Sequence, residues 1–355
     1  MAVSLHARFI AGAIVGAAAL TASLAQAQEL KEFNFMSPNF ATCGPFAQVV
    51  GDEMGFFADE GLKVNLLNSD TSIPFVAFLA NGDADLVTLD AGQVLQAVTA
   101  KQPIKVLYEA YQFASDGLVV PADSDIKGLA GLKGKTVGLA SDRDQLTTVI
   151  ALQSVGLSGA DIKTAVVGQS GPVLAAALRD KTIDAFAGSI SDRVGIESAG
   201  VALLNITPAE VSMNPANSFA AWAPTLEEKR PMIAGFMRAW AKSVHAGVVD
   251  TKAVMSACKK RIPEQWEKPG NGERVVNTSV FTTQIRRTVK YGELQPDVWE
   301  NIQPSYVELG EIPEKIDVGT FLDDSFTDAA NDFTTADVKK NIKAWKEANK
   351  DILIP

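Results

Sequence analysis

Alternating and continuous apolar runs mark out the first half of the chain. Phe33-Asn34-Phe35-Met36 reads as a strand, Ser37 to Thr42 as a loop, and Phe46 to Met54 as a helix that stops at Gly55. Leu62 to Leu67 alternates as a second strand. Ser72 and Pro74 open a short helix that Gly82 closes, and Asp85 to Leu89 forms a third strand. A helix over Gln93 to Ala100 and a strand over Ile104 to Tyr111 follow. After the short strand Leu118-Val119-Val120 and a polar connection from Asp125 to Gly134, a second series begins. It comprises strand Thr136 to Leu139, a helix over about Gln145 to Val155, strand Ala165 to Val167, a helix around Val173 to Leu178, and strand Ile183 to Ala187. Strands alternating with helices of this length predict parallel βαβ units and an α/β class.

From Thr225 onward the pattern turns helical. Met232, Ile233, Phe236, Met237, Trp240 and Val244 share one stripe, which predicts a core-facing helix. Thr225 with Glu228 has capping-box spacing, although Pro231 leaves the helix start open. Trp266, Trp299 and Trp345 fall in this tail and are expected in the core or between helices. The last helix, Val338 to Ala348, is amphipathic and is expected on the outside of the first lobe. Asp180-Lys181-Thr182-Ile183-Asp184-Ala185 echoes Asn81-Gly82-Asp83-Ala84-Asp85-Leu86, each a helix exit, an acidic residue and a strand. That echo points to two lobes built alike.

Composition adds an address and a size. Arg8, the apolar run Phe9 to Leu24 and the small-x-small site Ala25-Gln26-Ala27 predict a cleaved secretory leader over residues 1–27, and hence a periplasmic protein. The remaining roughly 330 residues exceed what one hydrophobic core usually supports, which argues for two lobes. The formal net charge is −10, a balance that disfavours nucleic acid or an anionic membrane as partner. Only Cys43 and Cys258 are present. Export permits a bridge between them, but two cysteines so far apart form no disulfide framework, and independent burial is the favoured reading. Beyond the leader there is one histidine, His245, too few for a His-based metal site or a Ser-His-Asp triad built elsewhere.

Gly55-Phe56-Phe57-Ala58-Asp59-Glu60-Gly61-Leu62 resembles the Gly-aromatic-Phe-x-x-Glu-Gly-Leu string of the sulfonate, nitrate and thiamine-pyrimidine (THI5-like) group of periplasmic substrate-binding proteins. Asn81 to Asp85 is similar to their next element, and Leu132-Lys133-Gly134-Lys135-Thr136-Val137 to the segment that enters their second lobe. Gly156-Leu157 and Asp184-Ala185 keep the register, so the resemblance covers about Phe33 to Gly200. It implies a two-lobed, type II periplasmic-binding-protein fold with a ligand cleft between mainly parallel, helix-flanked sheets. The first lobe is expected over 28–112 and 222–355 and the second over 113–221, with crossings near Tyr111–Gly117 and Phe219–Pro224. It also implies a monomer that hands a small molecule to the membrane permease of an ABC importer and needs no cofactor.

Ligands of such folds lie at the carboxyl ends of parallel strands, where helix N-termini and free N–H groups face the crevice. Five loops therefore supply candidates. Asn39, Phe40 and Thr42 follow the first strand, with Phe40 as a stacking face. Ser72 either caps the next helix alone, the favoured role, or also offers its hydroxyl to the ligand. Asp90 and Ala91 follow the third strand; Asp90 either caps the next helix, the favoured role, or meets a cationic ligand group. Ser141, Asp142 and Arg143 form the fourth loop, where relatives use small hydroxyl residues to hold an anion. Asp142 and Asp144 depart from that pattern and would repel a sulfonate unless Arg143 compensates. Ser189 and Asp192 stand in the fifth, and Tyr111 beside the first crossing either stacks on a ring or braces the hinge.

The leading function is capture of a small organic solute (planar heterocycle, carboxylate or sulfonate) for an ABC importer, with Phe40 and Tyr111 favouring a planar molecule. A pyrimidine-synthase-like enzyme shares the fold but needs a His- and Cys-rich site that this chain lacks, and a lone Cys43 nucleophile has no evident base. A solute sensor on the same fold is the third class.

Overall fold

The computed structural model describes residues 29–38, 42–69, 74–111, 117–208, 211, 214–283 and 288–355. The expected leader, the candidates Asn39, Phe40 and Ser72, and most of the first expected crossing lie outside these residues.

Two five-stranded sheets organise the molecule. The first takes β1 (Lys31–Pro38), β2 (Leu62–Ser69), β3 (Leu86–Leu89), β4 (Ile104–Glu109) and β10 (Ser218–Trp222) in the order β2-β1-β3-β10-β4. The second takes β5 (Gly117–Pro121), β6 (Thr136–Leu139), β7 (Lys163–Val166), β8 (Ala185–Gly188) and β9 (Leu203–Asn205) in the order β7-β6-β8-β5-β9. In each sheet three strands pair in parallel, and an antiparallel strand, β10 or β5, is inserted fourth. β3 and β8 are buried at every position, as central strands covered by helices on both faces must be.

The echoed segments do the same work in both lobes. The Asp85 carboxylate accepts the Asn34 N–H at 2.7 Å while its own N–H donates to the Asn34 carbonyl. Asp184 repeats this with Thr136, at 2.9 Å. Each aspartate thereby sets a parallel strand against its neighbour where a helix ends, and each has a lysine beside it, Lys229 or Lys135. In the family string, Gly55 and Gly61 adopt left-handed φ values of 77° and 73°, and Phe56 and Phe57 are buried. Glu60 has a further role: it accepts from Arg238 and Lys242 on the long helix Leu226–Val249, fastening that helix to the first lobe.

The helices that shape the crevice are α1 (Phe46–Glu53), α2 (Phe56–Asp59), α3 (Phe75–Asn81), α4 (Ala91–Thr99), α5 (Asp144–Gln153), α6 (Gly171–Arg179) and α7 (Ile190–Ser198). The expected stripe on Leu226–Val249 buries Ile233, Phe236, Met237, Trp240 and Val244 in the first lobe's core, where Phe236 and Trp240 pack on Phe35 with ring centroids 4.8 and 5.7 Å away. Trp299 and Trp345 are buried, their indoles donating to Glu109 and Glu53. The last helix, Thr335–Ala348, lays Val338, Ile342 and Trp345 on the same core.

Three expectations change. Ser218–Trp222 is a strand of the first sheet, so the chain has already returned before the crossing expected at Phe219–Pro224. Its Ser-Phe-Ala-Ala-Trp sequence has little strand character of its own, and β3 and β4 impose the conformation from either side. The short strand β9 was likewise without a pattern. Thr225 forms no capping box, because its hydroxyl donates to the Trp222 carbonyl at 3.3 Å. Finally, Cys43 and Cys258, favoured as independent, are joined by a disulfide with a Cα–Cα separation of 5.9 Å. Folding places the loop after β1 directly against the helix Thr251–Arg261, a proximity that spacing in the chain does not encode. No helix among the described residues is long and apolar enough to cross a membrane.

Candidate ligand cleft

Between the sheets lies a cleft of about 1290 Å³. Both lobes line it with the segments that follow their parallel strands: Thr42, Gly44 and Pro45 after β1, Asp90 to Gln93 after β3, Ser141 to Asp144 after β6 and Ser189 to Asp192 after β8. Asn214 to Asn217, on the return to β10, closes one side.

Local capping determines which of the candidate groups still have hydrogen-bonding capacity. Asp90 is the N-cap of α4: its carboxylate accepts the Gln93 N–H at 2.8 Å, and the Gln93 side chain accepts the Asp90 N–H at 3.1 Å. In the second lobe, Asp144 accepts both the N–H and the hydroxyl of Ser141, at 2.7 and 3.0 Å. Asp192 does the same for Ser189, at 2.9 and 2.7 Å. Carboxylates that accept from local N–H and O–H donors are ordinary at helix starts. These donors are neutral, so they stabilise the ionised form of Asp144 and leave its charge in place. Asp142 is exposed at the rim, and Ala91 is buried in the first turn of α4.

Arg143 is the one cationic side chain among the described lining residues, and it reaches across the cleft to form an ion pair with Asp90. Its Nη2 also lies 3.5 Å from Gln93 Oε1. Burial lowers the guanidinium's pKa, an effect opposed by nearby Asp144 and Tyr306. Tyr306 comes from the helix Pro296–Glu308 and stands over the start of α4, its hydroxyl 3.5 Å from where a Cβ on Gly92 would lie. Tyr111 is half-buried, lines the cleft and packs on the first lobe's core. Thr42 lines the cleft and its hydroxyl accepts the Gly44 N–H at 3.4 Å.

The helix α1 differs from α4 and α7. Its N-cap is Pro45 and no side chain caps it. Beside it, Gln48 and Trp240 line the cleft at 3% exposure each, and Gln48 Nε2 and Trp240 Nε1 have no hydrogen-bond partner among the described residues. Sequence reasoning passed over both. Gln48 did carry a signal, as a polar residue on the buried arc of α1 between Ala47 and Val50. Trp240 carried none, since a core stripe does not reveal which end of an indole meets a crevice. The tail's contribution through Tyr306, Ser279 and Thr282 was equally hidden.

Among the described residues no group of three or more His, Cys, Asp or Glu side chains is placed to hold a metal ion. His245 hydrogen-bonds Tyr291 and Thr335, both at 2.9 Å, and is not among the described lining residues.

The fold recurs in solved structures. The periplasmic aliphatic sulphonate binding protein SsuA from Escherichia coli superposes with a TM-score of 0.65 at 16% identity, covering 81% of this chain and 91% of that one. The alkanesulfonate-binding protein SsuA from Xanthomonas axonopodis pv. citri, bound to MOPS, gives 0.62 at 14% identity over 84% and 99%. The desulfurization enzyme DSZB gives 0.57 at 14% identity over 84% and 98%. No curated protein matches the sequence. The family model described as NMT1/THI5 like matches residues 46–250, more than half of the chain and nearly all of the two-sheet framework around the cleft, so this chain belongs to the NMT1/THI5-like family.

Proposed function

We propose that this protein is the solute-binding component of an ABC importer, exported to the periplasm, which captures a small organic solute in the cleft and presents it to the membrane permease. The observation that carries this reading is the cleft itself. Two similarly built lobes turn the carboxyl ends of their parallel strands toward one space, and an ion pair already spans it. Such a space closes on a ligand by movement of one lobe against the other, and a permease reads the closed form. Sulfonate-binding proteins among the structural neighbours support a sulfonate or another organic acid as the class to test first.

A non-catalytic role is favoured over a desulfurisation-type reaction, although DSZB shares the fold. Cys43, the thiol of the loop after β1, is bonded to Cys258, and a disulfide sulfur is no nucleophile. The expected assembly is a monomer, and its acidity makes nucleic acid an unsuitable partner.

The test is a thermal-shift and calorimetric screen of the leaderless protein with alkane- and arenesulfonates, carboxylates and pyrimidines. A cleft ligand at a hundred times its Kd stabilises the native state by about 2.7 kcal/mol. A clear shift with one class and a 1:1 stoichiometry support the reading. Turnover of any of these compounds, or no binding by any of them, sinks it.

A further inference from the structure

Besides the chain's own passages between the sheets, the second lobe meets the C-terminal tail along α7, which runs from the cleft to the helix Asn271–Thr283. Resting on the solute-capture reading, we propose that Ser198 and Asn271 form the pivot on which the lobes close. In this device α7 is the lever that carries the turn into the cleft, and Gly44 is its stop.

The lever touches the first lobe's structure at both ends. At its start, Ser191 Oγ lies 2.9 Å from where a Cβ on Gly44 would stand, so a side chain there would have to push the hydroxyl aside. At its end, the Ser198 hydroxyl donates to Asn271 Oδ1 at 2.7 Å, and Arg274 Nη1 lies 3.8 Å from Glu197 Oε2. The ion pair is wide and its side chains are 42% and 38% exposed, so the short hydrogen bond is the tie that holds. Asn271 opens a helix whose Val276 and Val280 are buried in the first lobe's core. The seat of the pivot therefore moves with the first lobe.

Seat and stop are parts of one frame. Asn271 Nδ2 donates to the Gln265 carbonyl at 3.1 Å, and Gln265 Oε1 accepts the Cys43 N–H at 2.6 Å. Cys43 precedes Gly44 and is bonded to Cys258 in the helix Thr251–Arg261. Within its own lobe α7 is held as firmly, because α6 crosses it backbone to backbone: a Cβ on Gly171 would lie 2.6 Å from the Gly195 carbonyl. α7 thus turns only with its lobe. About 10 Å of helix separates Ser191 from Ser198, so a turn of about 15° about Ser198 moves Ser191 by about 3 Å against Gly44.

Double electron–electron resonance on the full leaderless protein, with its disulfide intact and no ligand, tests this. Nitroxides go on Val173→Cys in the second lobe and Val248→Cys in the first, at positions 54% and 49% exposed. Ser198→Ala and Asn271→Ala should each shift the most probable distance by about 3 Å or double the width of its distribution. The double variant should do no more than either, because both remove one contact. Ser198→Thr keeps the hydroxyl and should retain the wild-type distribution. Gly44→Val should shift the distance too, by holding Ser191 off the stop. Unchanged distributions in both alanine variants overturn the pivot, as does a lowered thermal midpoint without a change in distance. An equal change in Ser198→Thr also overturns it, and a wild-type distribution in Gly44→Val overturns the stop. All of these leave the solute-capture reading intact, since that reading falls only to the binding screen.

Discussion

His245 is the only histidine outside the expected leader, and its ring lies between Tyr291 and Phe333, with Thr335 at Nε2. Burial lowers its pKa, since an imidazolium would lose hydration there. The unfolded chain then takes up a proton at higher pH than the folded one. The stabilisation is complete above the unfolded value of about 6.5 and is lost as pH falls from there through the lower folded pKa. The thermal midpoint should fall between about pH 7.5 and about pH 5.5, and His245→Gln should flatten that slope. An equal slope in the variant would place the pH dependence elsewhere. Glu60 shows the opposite balance. Burial raises its pKa, but hydrogen bonds from Arg238 and Lys242 outweigh this and leave it below the ordinary carboxylate value. Its place in the family string was legible as a turn, whereas its two partners lie 178 and 182 residues away and had no local signature.

Among the elements, the disulfide matters most for the site. It closes a span of 215 residues and joins the loop after β1 to the helix Thr251–Arg261. Native disulfides typically stabilise by about 2–4 kcal/mol, and the chain-entropy argument gives about 5 kcal/mol for a span this long. The double variant Cys43→Ser/Cys258→Ser should therefore show a loss of that order in urea titration, with the remainder of the fold retained by circular dichroism. Wild type and variant of equal stability would show that the link is energetically idle. Strand and helix identities in both series were readable because burial on two faces writes apolar runs into β3, β4 and β5. β10 was not readable, since its Ala-rich sequence becomes a strand only between β3 and β4.

For the molecule as a whole, the Arg143–Asp90 pair links the second lobe to the first without any ligand. Both side chains are about one-third exposed, so the pair contributes only about 0.2–1 kcal/mol, enough to bias a balanced opening but not to lock it. Arg143→Ala should enlarge the ligand-free radius of gyration in X-ray scattering while the liganded radius stays that of wild type. Identical ligand-free profiles would remove the pair from any role in closure. The sequence by itself determined the α/β class, the doubled lobe and the family, because these rest on local periodicity and on turn residues such as Gly55 and Gly61 that short stretches of chain carry intact. It also pointed to the loops around the cleft, since helix starts after parallel strands are local features. What only the tertiary structure decided is how the charges and donors in those loops are spent. Asp90 meets Arg143 across the lobes, Asp144 and Asp192 turn back on their own backbones, and Gln48 and Trp240 face the cleft unmet. Hydrogen bonds and ion pairs between residues far apart in the chain are settled by packing, and they determine which groups are left to receive a ligand.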